Sequence, residues 1–290
     1  MLCLTSPQSS RRLDELSRHG RATPGNAHRD GISSTFISVI SFLRCVPLFF
    51  SARPKTPLRV LCIMAFDTLH ILRYSKPLPV TKLRTLAALL DFGACTNAIL
   101  DNKDYCRKEY HKTRQILDEA GLNSFVEEFL RRLCELETRR PSPAEADFQF
   151  QFRKIRSYRE AVVRLLLGMV ATTAVGNHCI DEGIRATYGD NDLKILFRIV
   201  MQCQIIDDVL DYSKDLSAGL PSFLTASESL PEAIKMTRQA AFGYGDIRDL
   251  PRSDTVFPLR VALFFGSTCV KLMIRLARCH ICMFGFGAKS

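Results

Sequence analysis

The amino-acid sequence predicts an all-α protein, and three observations support this fold class. Glycine and proline are few, with 15 and 13 copies in 290 residues, so long stretches run without a residue that interrupts a helix. Apolar residues recur at intervals of three and four, the spacing of a helix that buries one face. No alternating strand pattern of useful length occurs. With 47% hydrophobic residues, the chain can bury a substantial core.

The first 62 residues differ in character from the rest. Residues 1–60 hold nine Lys and Arg against three Asp and Glu, which is +6 of the total net charge of +10. Residues 1–30 are polar and lack apolar periodicity, which is typical of disordered segments. We therefore expect a basic, poorly structured leader at 1–62 and an all-α domain at 63–290.

An apolar segment follows the polar start and allows three interpretations. Residues 32–52 are rich in Phe, Ile, Leu and Val, but Arg44 and Pro47 interrupt them before the ~20 residues that span a bilayer. The segment fits a basic targeting leader, an interfacial anchor, or upstream sequence that does not belong to the protein, with Met64 as the true start.

The helices of the domain are predicted from their caps and breaks. Thr81 is placed to cap the first long helix and Gly121 to end it. SFVE at residues 124–127 has the form of a capping box that opens the next helix. A helix that is apolar nearly all round at 161–176 should be fully buried. The expected helices cover about 81–117, 124–140, 144–186, 192–216, 230–247 and 256–283.

The stretch at residues 204–221 carries the strongest candidate site. At about 100° per residue, Asp207, Asp208, Asp211 and Asp215 fall at roughly 0°, 100°, 40° and 80° on one side of a helix with apolar flanks. Four like charges on a buried helix repel each other and are costly to desolvate. A divalent cation would remove this conflict, and Mg²⁺ prefers such oxygen ligands. The alternative is a solvated acidic face on an ordinary helix.

A second polar stripe lies on the first long helix. Asn97, Asp101 and Asp104 fall within roughly 60° of each other at about 100° per residue. This stripe is either a partner of the acidic stretch at a metal site or the solvated face of its helix.

These residues carry a resemblance to a known superfamily. DDVLD at 207–211 resembles the DDxxD box of class I isoprenoid synthases. In another register, DYSKD at 211–215, followed by Gly219, Leu220 and Pro221, is similar to the DxxxD box of squalene/phytoene synthases. REAV at 159–162 is similar to sequences of that branch. Asn97 and Asp101 have the spacing of its first box, with Asn in place of the leading Asp.

The resemblance implies an isoprenoid-synthase-type helical bundle with a central cavity. Two aspartate faces would hold several Mg²⁺ ions, and these would draw off the diphosphate of a prenyl substrate. Arg159, Lys214 and Tyr212 would contact the diphosphate, and the apolar helix at 161–176 would line the cavity. The metal ligands and catalytic residues expected from the resemblance are Asp207, Asp208, Asp211 and Asp215, with Asn97, Asp101 and Asp104 as further metal ligands.

The function expected from the resemblance is a Mg²⁺-dependent prenyltransferase of the squalene/phytoene or polyprenyl synthase type. Two alternatives stay open: a class I terpene cyclase on the same scaffold, and a catalytically impaired homologue that acts as a helical interaction protein. Product analysis would separate the prenyltransferase from the terpene cyclase.

Composition bears on partners and location. We expect no nucleic-acid binding, because the basic residues form no recognisable motif and the chain beyond residue 60 carries only a small net charge. The 11 scattered cysteines indicate reduced, core-filling thiols and a cytoplasmic protein. Peripheral membrane contact and a homodimer both stay open.

Overall fold

The computed structural model describes residues 57–101, 105–142, 148–246, 248 and 257–284, with six residues between 36 and 44. No strand occurs in these described parts, which confirms the all-α prediction. The helices with their bounds are α1 (Pro57–Tyr74), α2 (Val80–Leu100), α3 (Arg107–Glu119), α4 (Asn123–Glu137), α5 (Phe148–Val175), α6 (Ile180–Gly189), α7 (Asn191–Leu210), α8 (Tyr212–Ala218), α9 (Leu230–Gly245) and α10 (Phe257–Phe284).

Helices α5 and α7 form the centre of the packing. α5 contacts α2, α4, α6 and α7, and α7 also contacts α9 and α10. Buried apolar side chains on α5 include Leu165, Leu167 and Met169, each at most 2% exposed. The prediction that 161–176 is fully buried is wrong, because several of its side chains are half-buried and Val175 is 47% exposed. The central cavity stays a prediction.

The long helix expected over 144–186 is wrong, because the chain turns after Val175. Gly176 has a φ of +75°, and the Asn177 N–H donates to the Thr172 carbonyl oxygen at 2.9 Å. This left-handed residue with a six-to-one hydrogen bond ends a helix, and glycine adopts it without steric cost. α6 then leaves at 103° to α5.

Two other sequence predictions about helix ends are corrected. The first long helix stops at Leu100, and α3 begins separately at Arg107. The capping box at 124–127 does not form, because α4 begins one residue earlier, at Asn123, and its cap residue Leu122 has no side-chain hydrogen bond to offer. Gly121, with a φ of +71°, does follow the end of α3, as its sequence position predicts.

The acidic helix is also divided. α7 ends at Leu210 and the short helix α8 runs from Tyr212 to Ala218. Asp211 joins them, and its N–H still donates to the Asp207 carbonyl oxygen at 2.8 Å. Gly219, with a φ of +64°, ends α8. The chain therefore changes direction inside the predicted site.

The N-terminal side of the domain contains a buried ion pair. α1 crosses the boundary expected between residues 62 and 63 without a break. The Asp67 side chain is fully buried, and Arg44 Nη1 donates to its two oxygens at 2.8 and 2.9 Å. Arg44 Nη2 also donates to the Leu78 carbonyl oxygen at 2.7 Å. Arg44, which belongs to the expected leader, thus packs onto α1; most of residues 1–56 lie outside the described part of the chain.

We expect Arg44→Met to lower the free energy of unfolding by about 3 to 5 kcal/mol, because it leaves the buried Asp67 carboxylate without its arginine partner. Urea denaturation measures the change. Arg131→Met is the matched control: Arg131 pairs with Glu128 on the surface, both more than a third exposed, and such pairs contribute about 0 to 1 kcal/mol. Equal losses in the two variants would contradict the burial argument.

The contact between α5 and α6 depends on glycine. A Cβ built at Gly168 would lie 2.7 Å from the Ile184 nitrogen and 2.8 Å from the Gly183 carbonyl carbon, both backbone atoms. We expect Gly168→Ala to destabilise the fold by about 1 to 3 kcal/mol through overpacking. Gly243→Ala in α9 is the control, since no atom lies within 4 Å of its Cβ. Thermal denaturation that ranks the two variants in the opposite order would refute this account.

Candidate functional site

The four aspartates of the acidic stretch differ in their surroundings. Asp207 is exposed, whereas Asp208 and Asp215 are buried, at 3% and 5% exposure. The Asp211 side chain is 31% exposed. Asp207 and Asp208 both lie on α7 and differ in exposure because neighbouring residues on a helix point about 100° apart. α7 itself ends at Leu210, before Asp211 and Asp215. The prediction that one continuous helix face carries all four is therefore wrong.

Asp208 lies at the centre of the site. Its Oδ1 accepts from Arg159 Nη2 at 3.1 Å, and its Oδ2 accepts from the Phe223 N–H at 2.7 Å. Burial raises the pKa of the Asp208 carboxyl to about 6, although Arg159 and the Phe223 N–H act in the opposite direction. The carboxylate is thus fully engaged by donors from α5 and from the segment after α8.

Arg159 connects the two predicted acidic stretches. Its Nη2 also donates to the Pro221 carbonyl oxygen at 3.1 Å, and its Nη1 to Gln204 Oε1 at 3.3 Å. Burial disfavours the charged form of the Arg159 guanidinium and lowers its pKa. The net shift is nevertheless upward, because of the residues Asp208, Tyr158, Asp215 and Asp101 around it. Asp101 belongs to the end of α2 and Asp208 to the end of α7, so carboxylates from both stretches act on one guanidinium.

Asp101 is held by an arginine that the sequence analysis did not select. Arg140, which follows α4, pairs with Asp101 Oδ1, and Asn97 Nδ2 donates to Oδ2 at 3.1 Å. The Asp101 side chain is only 6% exposed. Glu137 lies 3.5 Å from the Arg140 guanidinium and also accepts from the Tyr158 hydroxyl.

Burial and the Glu137 hydrogen bond raise the pKa of Tyr158. We call Arg159, Asp208, Asp215, Asp101 and Arg140 the Arg159 cluster. Tyr158 adjoins Arg159 in sequence, and this position could have identified it as a candidate site residue. Arg140 and Glu137 lie close to Asp101 only through folding, and no local pattern selects them.

The remaining predicted residues lie at the edge of the cluster or outside it. Lys214 is 78% exposed and donates to Asp211 Oδ1 at 2.6 Å, and this hydrogen bond raises the Lys214 pKa. Tyr212 is half-buried and packs against the main hydrophobic core. Partial burial raises the Tyr212 pKa. Asp104 lies outside the described residues.

The arrangement does not fit a metal ion. Oxygen donors of this kind suit Mg²⁺ in principle. However, Asp208 is engaged by Arg159 and an N–H, Asp101 by Arg140 and Asn97, and one Asp211 oxygen by Lys214. Within the described ranges, no three His, Cys, Asp or Glu side chains come close enough together to hold a metal. Protein cations thus pair with Asp208, Asp101 and Asp211, and Mg²⁺ binding at this stretch stays a prediction.

Comparison with known proteins adds no assignment. No family model, curated protein or solved structure matches this chain. The family of the chain therefore rests on the motifs at 204–221 and remains a resemblance.

The raised pKa of Asp208 makes the stability of the fold depend on pH in a defined direction. Between the ordinary pKa of 3.8 and about 6, the folded protein keeps a proton that the unfolded chain releases. This contribution to stability is present at low pH and is lost as the pH rises through that window. The wild type should therefore lose about 1 to 3 kcal/mol relative to Asp208→Asn between pH of about 4 and about 7.

Chemical denaturation at several pH values measures this difference. Asp181→Asn serves as the control, because the Arg132 hydrogen bond lowers the pKa of Asp181 and its contribution does not fall as the pH rises. A difference between the wild type and Asp208→Asn that stays constant with pH would contradict the burial of an ionisable carboxyl at this position.

Proposed function

We propose that the protein is a class I isoprenoid synthase-like enzyme that binds the diphosphate of a prenyl substrate at the Arg159 cluster and transfers the prenyl group. The observation that supports the proposal is that Asp208, near the end of α7, pairs with Arg159, while Asp101, at the end of α2, pairs with Arg140 and contributes to the raised Arg159 pKa. Two acidic helix ends that face a common centre are the arrangement that the motif resemblance implies.

The cluster contains suitable donors for a diphosphate. Arg159 and Arg140 are arginines, whose planar forks match pairs of phosphate oxygens. In the arrangement described here their counter-ions are Asp208 and Asp101. A diphosphate carries more charge than one carboxylate and would compete for both guanidinium groups.

The protonation of Asp208 would assist this exchange. A carboxyl that loses its arginine partner in a buried place becomes costly to keep charged. Because the Asp208 pKa is already about 6, this carboxyl can take up a proton when Arg159 turns towards the ligand. Gln204, which accepts from Arg159 Nη1, would keep the other arm of the guanidinium oriented during the exchange.

Apolar groups near the cluster suit a prenyl chain. Leu210 and Leu216, 66% and 58% exposed, flank the stretch 211–215 in sequence, and Ile99, 37% exposed, lies two residues before Asp101. Exposed leucine and isoleucine beside a charged cluster would offer contact to a hydrocarbon chain. No step is assigned to Mg²⁺, because three of the predicted ligands, Asp208, Asp101 and Asp211, are paired with Arg159, Arg140 and Lys214.

A second candidate is a non-catalytic helical interaction protein. The observation in its favour is that the ion pairs of the cluster are complete within the protein, with Asp208 on Arg159 and Asp101 on Arg140. Such a network stabilises a helical scaffold without any ligand.

Product analysis with geranyl, farnesyl and geranylgeranyl diphosphate, with and without Mg²⁺ and isopentenyl diphosphate, tests the proposal. Prenyl transfer requires release of diphosphate and a longer product that depends on the second substrate. A hydrocarbon formed from one substrate alone would instead indicate a cyclase. No diphosphate release by folded protein in any combination would favour the interaction protein.

Arg159→Lys links the activity to the cluster. Lysine keeps the charge but loses the fork, so we expect kcat/KM to fall about tenfold or more. Asp181→Asn is the control, since Asp181 is 60% exposed and pairs with Arg132, outside the cluster. Circular dichroism checks that both variants fold. Unchanged kcat/KM in Arg159→Lys would remove this residue from the site.

A further inference from the structure

The last described helix, α10, has one face fixed in the core. Leu259, Leu263, Ser267, Val270 and Ile274 are each at most 7% exposed and follow each other at intervals of three and four residues. Leu259 and Leu263 belong to a cluster that also includes buried residues of α1 and α7. α10 is therefore fixed along the side of the bundle by this inner face.

The opposite side of α10 exposes large apolar side chains. Phe264, Phe265, Leu272 and Leu276 are 68%, 60%, 55% and 54% exposed. At about 100° per residue they cover a sector of roughly 120°, and we call these four residues the outer face. Four large apolar residues clustered on one helix face differ from apolar residues scattered singly, and such patches mark interaction sites.

The charges around the outer face have one sign. Residues 257–284 contain four Lys and Arg and no Asp or Glu. Arg275 and Thr268 are exposed within the sector of the outer face, and the exposed Lys271 lies at its edge. Lys271 Nζ lies 5.0 Å from the ring centroid of Phe242 on α9, which is itself 52% exposed. Arg238 also stands over that ring, at 5.9 Å. The aromatic and basic surface thus extends onto α9.

An acidic residue beside this surface is already paired. Asp246, the C-terminal cap residue of α9, lines a groove with Phe242 and Lys271. Arg248 pairs with the Asp246 carboxylate at 2.6 Å and lowers its pKa to about 2. The described residues of this surface therefore carry a net positive charge, which fits an anionic partner.

Charge and shape narrow the choice of partner. A second copy would bring Lys271 and Arg275 against the same cations, and like charges across an interface are unfavourable. A partner helix in a coiled coil needs a narrow apolar seam, flanked by charges that pair across it. A helix that lies in a membrane interface typically has Phe and Leu over a wide sector and Lys and Arg beside them.

We propose that the outer face of α10 binds the surface of an anionic membrane. Phe264, Phe265, Leu272 and Leu276 would enter the boundary between headgroups and acyl chains, while Lys271 and Arg275 attract the anionic headgroups. The helix lies on the membrane and does not cross it, because its inner face belongs to the protein core.

Vesicle cosedimentation with the full chain tests this. Vesicles of phosphatidylcholine alone are compared with vesicles that also contain phosphatidylserine, at low and high salt. We expect binding to the anionic vesicles to be stronger and to weaken with salt. We expect two double variants each to lower the apparent affinity for anionic vesicles at least about tenfold. One carries Phe264→Ser and Phe265→Ser, and the other carries Lys271→Glu and Arg275→Glu.

Control variants separate this face from general surface effects. Val80→Ser removes an apolar side chain that is 58% exposed at the start of α2, and Arg185→Glu reverses an exposed charge on α6. Both should bind vesicles like the wild type. All changed residues are exposed, and thermal denaturation checks that each variant remains folded.

Three outcomes would overturn the proposal: equal binding to both kinds of vesicle, binding that the outer-face variants leave unchanged, or binding lost equally in the controls. Sedimentation velocity supplies a further test without lipid. A dimer that the phenylalanine variants dissociate would assign the outer face to self-association instead. None of these measurements depends on enzymatic activity.

Discussion

The buried ion pair between Arg159 and Asp208 constrains the whole region around it. A charged pair in a low-dielectric environment is tolerated only if its remaining donors and acceptors are satisfied. Asp208 therefore needs the Phe223 N–H, and Arg159 needs the Pro221 carbonyl oxygen. Both belong to the segment after α8, so this segment has to fold back over the pair. Gly219, in a left-handed conformation, provides the turn that allows it.

The position of Arg159 depends in turn on how α5 is packed. The close approach of Gly168 to the α6 backbone fixes the height and rotation of α5 in the bundle. Leu165, Leu167 and Met169 fill the surrounding core. A rotation of α5 that moved Arg159 away from α7 would expose these residues and bring side chains into the glycine contact. The backbone contact and the ion pair therefore support one another.

The two proposed surfaces are chemically compatible. The Arg159 cluster offers guanidinium groups to a diphosphate, and the outer face of α10 offers phenylalanine, leucine and lysine to a lipid surface. A prenyl diphosphate has a charged head and a hydrocarbon tail, so it partitions to membranes. An enzyme that lies on an anionic membrane would meet such a substrate where it accumulates. Each proposal nevertheless stands on its own observations and its own test.

The sequence by itself determined the fold class and the approximate positions of the helices. These properties are local: apolar spacing follows the helical repeat, and glycines such as Gly121 end a helix through their own backbone freedom. It also selected Asp208 by its apolar flanks, Asp101 by its spacing along a helix, and Arg159 by the resemblance of REAV at 159–162 to squalene/phytoene synthases. Only the tertiary structure decided what these residues contact.

The helix that contains Val175 ends at the left-handed Gly176, and the break at Asp211 divides the acidic stretch between α7 and α8. Arg140, Glu137 and the Phe223 N–H reach the site through folding from distant positions, which no local period can reveal. The sequence predicted a metal at the acidic stretch because its aspartates repel each other and no counter-ion for them was evident from the sequence. The folded chain supplies those cations itself, because arginines from α5 and from the end of α4 arrive at the carboxylates.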